Sequence, residues 1–479
     1  MKKFFLLILF LLIGLVAVLL INTLRLKSKQ LVITEIPSPK ISNDALENFK
    51  KAIRIKTVSY GDSIPLDTAK FLEFHRFLES TYPLVHEKLQ REKVKGYSLL
   101  YKWEGKDVRP NPIILMAHMD VVPIEPGTES LWSVGPFEGV IKNDTIWGRG
   151  ATDDKMNLIA IMEAIENLLK ENFVPERTIY LAFGHDEEIG GKGAIAIAKL
   201  LETRNIKADL VLDEGGIITM DKVPGITQPV ALIGTSEKGY LSLQLSVGLN
   251  GGHSSMPEPE TAIDILINAI VRLRANPFEA DFSQSTKDFI AYIGPEQPFF
   301  QKIVFANQWL FKNTIVGIYE QSAASNAMVR TTIAPTVINA GVKDNVIPTL
   351  ANATINFRLL PGDTQESVTD HVTSVISDPR VKISKLSFGN DPSAVTPVNG
   401  FSFKTVEAAT KKTFGHVIVA PFLMIGATDS RHFGGVSDQI IKFSPMNDPI
   451  GFHGINERIS VKGYQDGIWF FEQLIRSIE

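Results

Sequence analysis

The side chains best suited to chemistry in this 479-residue chain are acids and histidines placed just after short apolar runs. Residues 113–116 are apolar throughout and lead into His118 and Asp120. Side chains alternate along a strand, so a His-x-Asp pair at its end shares one face. There the imidazole can ligate a metal while the carboxylate fixes its tautomer and orientation. A surface histidine beside a turn is the plainer reading of this pair taken alone. Asp153 and Asp154 open the next helical pattern, where capping would account for one of them. Residues 178–183 form another run and lead into Asp186, Glu187 and Glu188. Three consecutive acids repel one another unless cations are near, although a solvated acidic loop would also carry them. Asp213 and Glu214 close a further run at 209–212, and His453 sits in a loop near the C-terminus.

The elements that must position these groups follow from periodicity. Strands are expected at 97–103, 113–117, 178–183 and 209–212, and helices at 45–54, 68–81 and 193–202. Apolar residues at 158, 161, 162, 165, 168 and 169 give a helix after Asp154 one buried face. Strands alternating with helices imply an α/β fold, a mostly parallel sheet with helices on both faces. Ligands bind beyond the carboxyl ends of such strands. His118, Asp120, Asp153, Glu187, Glu188 and Asp213 all fall there. Gly148-Arg-Gly150 lacks the third glycine of a dinucleotide loop, and Asp153 would repel a pyrophosphate.

Near residue 237 the texture changes. Strands are expected at 240–249, 326–332, 336–343, 351–359 and 381–386, with helices at 261–274 and 364–376. These make an inserted α+β unit. The Phe-rich stretch 277–324 reads equally well as ordinary core or as a greasy channel for an apolar substrate. The expected organisation is an anchor at 1–30, a catalytic part at 31–235, an inserted lid or dimerisation unit at 236–396, and a second catalytic part at 397–479.

Hydrophobic residues make up 44% of the chain, enough for a well-filled core. A net charge of −4 without long runs argues against nucleic acid as a partner. There is no cysteine, so disulfides, thiol catalysis and thiolate-bound zinc are excluded. Residues 4–21 are an unbroken apolar run flanked by lysines and an arginine. As a helix it would span about 27 Å, near the thickness of a bilayer's hydrocarbon core. An uncleaved transmembrane anchor is the expectation, with the catalytic part periplasmic or extracellular.

With no thiolate available, a metal site must use His, Asp and Glu. Two ions about 3.5–4 Å apart need a bridging carboxylate and can share a hydroxide. In this inventory His118 and Asp213 serve one ion, Glu188 and His453 the other, and Asp153 bridges. Glu187 is then left as general base for the metal-bridging water.

These residues sit in motifs that resemble the dizinc aminoacylase and carboxypeptidase S-like metallopeptidases, most closely the N-fatty-acyl-amino-acid synthase/hydrolase branch. The motifs are Met-Ala-His-Met-Asp-Val-Val-Pro (116–123), Gly-Arg-Gly-Ala-Thr-Asp-Asp-Lys (148–155), Gly-His-Asp-Glu-Glu (184–188) and Asp-Glu-Gly-Gly (213–216). Gly-His-Ser-Ser-Met-Pro (252–257), Asn-Val-Ile-Pro (345–348), Thr-Asp-Ser-Arg (428–431) and His-Gly-Ile-Asn-Glu (453–457) complete the set. The resemblance implies two zinc ions, which cobalt or manganese could replace, with Asp120 and Glu187 as active-site acids. In Asp213-Glu214 either acid could be the ligand; Asp213 is the expectation. The resemblance further implies His253 as an oxyanion stabiliser, supplied by the partner subunit in dimeric relatives, so a homodimer through the inserted unit is an open possibility. Arg358 resembles an arginine that clamps a substrate carboxylate, with Asn326 and Arg431 as further substrate contacts. Arg431 could instead pair with Asp429. The expected activity is hydrolysis of an amide beside a free carboxylate, in N-acyl and N-fatty-acyl amino acids, reversible when fatty acid and amine abound. The alternative is a carboxypeptidase or dipeptidase for short peptides.

Overall fold

The structure is a computed structural model that describes residues 1–61 and 64–478. The strands Ile113–His118 and Ile179–Gly184 are buried at every position. Strands apolar on both faces need cover on both, and these two lie inside an eight-stranded sheet. Its order is Gln90–Val94, Ser98–Trp103, Ile179–Gly184, Ile113–His118, Leu210–Thr219, Ile440–Asn447, Val230–Glu237 and Ile418–Met424. The third to sixth of these run parallel to one another. Ile113 and Leu115 face one apolar cluster with the helices Lys155–Lys170 and Val461–Arg476. Ile114 and Met116 face another with the helix Lys192–Thr203. Register aligns His118 with Gly184 and Leu115 with Leu212. The carboxyl ends of the first two strands therefore meet beside Leu212, but the strand that carries it runs on from Leu210 to Thr219, so Asp213 and Glu214 lie within it and not, as expected, at its end.

A second sheet is antiparallel throughout, in the order Thr332–Ala340, Leu350–Leu359, Gly239–Gly248 and Val381–Asn390. Alternate residues Leu241, Leu243, Leu245 and Val247 point inward, with Ala353, Ile355 and Phe357 beside them. The helices Ala262–Ala275 and Gln365–Ile376 cover that face. Their N-termini carry capping boxes from Thr261 and Thr364.

Two expectations change. Residues 326–332 are not a strand: a short helix, Ala323–Ala327, precedes the strand that begins at Thr332. The Ser322 hydroxyl accepts from the Ser325 N–H at 3.1 Å and starts that helix ahead of the β-branched residues. The Phe-rich segment is helical, but Gln284–Ile293 lies on the edge strand Ile418–Met424 of the main sheet, with Phe289 edge-on to Phe422. Phe282, Ile290, Tyr292 and Ile315 belong to the main core, apart from the second sheet's cluster.

The first helix, Lys2–Arg25, is long and apolar enough to cross a membrane, a property signal sequences share. Only Thr23 of its residues is buried.

Candidate metal centre

His118 ends its strand with its ring buried. Nδ1 lies 3.0 Å from the Asp120 carbonyl oxygen. A carbonyl only accepts, so Nδ1 carries the hydrogen and Nε2 is free to ligate. Nε2 points at Asp153 Oδ1, 3.0 Å away, and at Glu214 Oε1, 3.3 Å away. Asp153 turns its other oxygen, Oδ2, to His453 Nε2 at 2.9 Å. Glu188 Oε2 is 3.3 Å from the same nitrogen. One carboxylate thus spans two imidazoles, each with a second acid beside it. The two donor groups are His118, Asp153 and Glu214, and Asp153, Glu188 and His453.

Asp120 is fully buried and does not join either group. Its Oδ1 accepts from the Glu187 N–H at 3.1 Å, and its Oδ2 from the Glu188 N–H at 3.2 Å and the Ser59 hydroxyl at 2.7 Å. It therefore fixes both the His118 ring, through its carbonyl, and the turn that presents Glu187 and Glu188. Burial acts to raise its carboxyl, but His118 and Ser59 hold it below its ordinary range.

Asp213, expected as a ligand, is not in the cluster. Its Oδ2 accepts from the Ser430 N–H at 2.8 Å and its Oδ1 from the Glu214 N–H at 3.0 Å. Neighbouring side chains on an extended strand diverge, so engaging Asp213 with Ser430 leaves Glu214 facing His118. Glu214 is the residue the structure brings to the first donor group.

The loop carrying His453 is fastened by two residues that motif reading quoted but left without a role. Arg149 and Glu457 form a buried pair at 2.7 Å. Arg149 Nη2 also donates to the carbonyls of His453 and Gly454, at 3.3 and 3.0 Å. Glu457 accepts from the N–H groups of Gly150, Thr152 and Asp153 and from the Thr152 hydroxyl. Residues 149–153 and 453–457, three hundred positions apart in sequence, are tied at the point where Asp153 meets His453. His453 itself has a φ of +53°, a left-handed conformation that these bonds maintain.

The electrostatics are those of acids confined together. Burial, with the charges of Asp429, Glu214 and Glu188, pushes Glu187 well above the usual carboxylate range. Burial and Asp153 push Glu214 up to about 8. Burial raises Glu188 and Asp154 as well. Bonds to Asp153 and Glu188 push His453 up to about 10. Burial opposes the charged form of His118, yet Glu214, Asp120 and Asp153 lift it well above the ordinary imidazole value. Glu188 Oε1 is buried without a hydrogen-bond partner, as are both Asp429 oxygens. So many acids and imidazoles, with an orphaned buried oxygen aimed among them, fit a pair of divalent cations.

The substrate-contact candidates gather elsewhere on the chain. Arg358 stacks over the Tyr240 ring, 4.8 Å from its centroid, and Arg431 lies over Phe388. The Tyr240 and Phe388 rings touch at 5.3 Å. No acid pairs with Arg358 among the described residues. Arg431 does not pair with Asp429; its Nε faces His432 Nε2 at 3.2 Å. Burial and the Arg431 charge lower the Arg358 guanidinium, as expected for two cations lacking a counter-ion. Asn326 lies in the short helix and is half-buried. His253 is exposed, and its ring faces Ser255, with Nδ1 at 2.8 Å from the hydroxyl. No hydrogen bond or ion pair joins it to the metal centre among the described residues.

The profile of peptidase family M20/M25/M40 matches residues 114–477. The probable carboxypeptidase S-like 2 of Dictyostelium discoideum is 41% identical over 98% of this chain and 93% of its own. The human N-fatty-acyl-amino acid synthase/hydrolase PM20D1 is 38% identical over 90% of this chain and 87% of its own. The crystal structure of an M20 family metallo-carboxypeptidase from Sulfolobus solfataricus superposes with a TM-score of 0.66 at 21% identity. It covers 91% of this chain and 99% of that one, a likeness of fold.

Proposed function

The chain belongs to peptidase family M20/M25/M40 and is a metal-dependent amidohydrolase; from that premise we propose that it cleaves the amide bond of N-acyl amino acids, long acyl chains included. The observation that carries this reading is Asp153 set between His118 and His453, with the half-buried Glu187 on the turn beside Glu188. His118, Asp153 and Glu214 would hold one zinc ion, and Asp153, Glu188 and His453 a second; cobalt or manganese would suit the same donors. When bound, the ions supply Lewis acidity toward the substrate carbonyl and lower the pKa of water.

The remaining steps fall to the chain. Arg358 pairs with the substrate's α-carboxylate, and its missing internal partner supports that role. Arg431 and Asn326 complete the contact with that end of the substrate. Asp120 keeps the Glu187–Glu188 turn and the His118 ring in place. Glu187 takes a proton from the attacking water as the C–O bond forms. It returns that proton to the amide nitrogen as the C–N bond breaks, leaving a carboxylic acid and a free amino acid. A carboxyl whose pKa is raised above the usual carboxylate range suits this two-way transfer. His253 would reach the oxyanion from a second copy or after the second sheet moves, which is the lid and dimerisation role proposed for the second sheet and its two helices within residues 236–396. The steps balance in reverse, so condensation of a fatty acid with an amino acid uses the same groups.

A panel of N-lauroyl amino acids, N-acetyl amino acids and dipeptides tests the reading. The expected order is N-acyl amino acids above dipeptides. Dipeptides hydrolysed fastest would favour the carboxypeptidase reading, supported by the yeast carboxypeptidase S relative. Glu187→Gln should retain metal and lose about 10²- to 10⁴-fold in kcat; full activity would remove the general-base assignment.

A further inference from the structure

The helices Phe299–Ala306 and Gln308–Tyr319 leave large apolar side chains exposed among the described residues. The first has no buried residue, although it reads Phe-Phe-Gln-Lys-Ile-Val-Phe-Ala. Phe299, Phe300, Trp309, Leu310 and Ile318 are all exposed, Phe300 by 80%. Residues 299–319 include no acid and two lysines, Lys302 and Lys312. Exposed aromatics with lysines and no acids are the composition of a helix lying at a membrane interface.

A second, independent observation says which surface covers them. The first helix, Lys2–Arg25, meets this pair at its C-terminal end. Asn307 is fully buried at the junction of the two short helices. Its Nδ2 donates to the Leu19 and Ile303 carbonyls, at 3.2 and 2.9 Å, and its Oδ1 accepts from Asn22 at 2.9 Å. Residues 4–18 of the first helix are apolar, and none is buried. A helix that enters a bilayer up to Leu19 leaves it beside Asn307, the residue that joins the helix of Phe300 to the helix of Trp309.

We propose that the helical pair 299–319 rests on the bilayer that Lys2–Arg25 enters. The inference requires the first helix to stay attached, which its polar bonds to Asn307 favour. Behind the pair lies an apolar cavity of about 260 Å³, lined in part by Leu232, Phe289, Phe305, Met328 and Phe422, with exposed Ile318 also on its lining. On the proposed N-acyl amino acid activity, this gives an acyl chain a route from lipid into the protein.

The cysteine-free sequence allows a clean test on the full chain. Single variants Phe300→Cys, Trp309→Cys and Val342→Cys, each labelled with an environment-sensitive fluorophore, are placed one chain per phosphatidylcholine nanodisc. Val342 is 94% exposed on the second sheet's hairpin and serves as the aqueous reference. Labels at 300 and 309 should be quenched by spin-labelled lipid and protected from iodide, and the label at 342 the reverse. If 300 and 309 are as open to iodide as 342, the proposal is overturned. It is also overturned if their protection appears only with several chains per disc, because the cover is then another copy. This readout does not depend on activity, so it stands or falls apart from the substrate assignment. As a second measurement, Phe300→Asp with Trp309→Asp should lower the rate on vesicle-borne N-lauroyl substrate and leave soluble N-acetyl substrate unchanged. Equal losses on both would also count against it.

Discussion

Replacing Glu457 by glutamine should damage the metal centre without touching any proposed ligand. The change is isosteric but turns one acceptor oxygen into a donor. Glu457 takes five hydrogen bonds: Oε1 from the Thr152 N–H and hydroxyl and from the Asp153 N–H, Oε2 from Arg149 and the Gly150 N–H. The rotamer with the smaller loss places the new amide nitrogen at Oε2. Even so, Arg149, with 3% of its side chain exposed, loses its only carboxylate. Removing one partner of a buried ion pair costs about 3–5 kcal/mol, a large share of the roughly 5–15 kcal/mol that holds a domain together. The same change removes the Arg149 and Gly150 bonds that help tie residues 453–457 to residues 149–153, so the brace shared by Asp153 and His453 is weakened. Urea unfolding of the metal-loaded protein gives the first quantity, and metal content after dialysis the second. Thr152→Val, which removes one hydroxyl donor, should cost only about 1 kcal/mol. A Glu457→Gln protein within about 1 kcal/mol of the parent, with its metal intact, would refute the reasoning.

Three further outcomes follow from the same geometry. Glu214→Ala should lower metal content by the His118-side ion, whereas Asp213→Asn should keep metal and loosen the Ser430 turn; elemental analysis after dialysis separates them, and the reverse pattern would restore Asp213 as ligand. Arg358→Ala should raise KM for substrates with a free carboxylate and leave their carboxamides unaffected, with Arg358→Lys recovering part of the loss; an unchanged KM would end the clamp. Metal loading should release protons, because Glu214 at about 8 and His453 at about 10 are both protonated at pH 7 in the metal-free chain. The loaded state binds fewer protons, so affinity rises with pH. His118, raised as well, adds to the release, and the rise weakens as Glu214 and then His453 lose their protons. Calorimetry in buffers of different ionisation enthalpy counts those protons, and no release at pH 7 would contradict the cluster's electrostatics.

The parallel strands and the acids at their ends were legible because two signals coincide there. Runs such as 113–116 are apolar at every position, which fits a strand covered on both faces, and each ends in groups that no core accepts unpaired. Choosing between Asp213 and Glu214 was beyond a local pattern. The choice is made by the Ser430 N–H, 217 positions away, which captures Asp213 and turns its neighbour to His118. Arg149 and Glu457 stood within the quoted motifs, but their pairing is a contact between segments that no periodicity links. The Phe-rich composition of residues 277–324 likewise does not show which sheet they lie on. Phe289 meeting Phe422 places them on the main one. Residues 326–332 read as strand because the β-branched residues at their end dominate the window, while the Ser322 cap that starts the helix Ala323–Ala327 is a single hydrogen bond.

The central claim is that Asp153 holds two divalent ions together. Anomalous diffraction at the zinc edge from zinc-loaded crystals tests it most directly. Two peaks should flank the Asp153 carboxylate, one against His118 and Glu214 and one against Glu188 and His453. A single peak, or zinc bound away from Asp153 in a fully active protein, would contradict it.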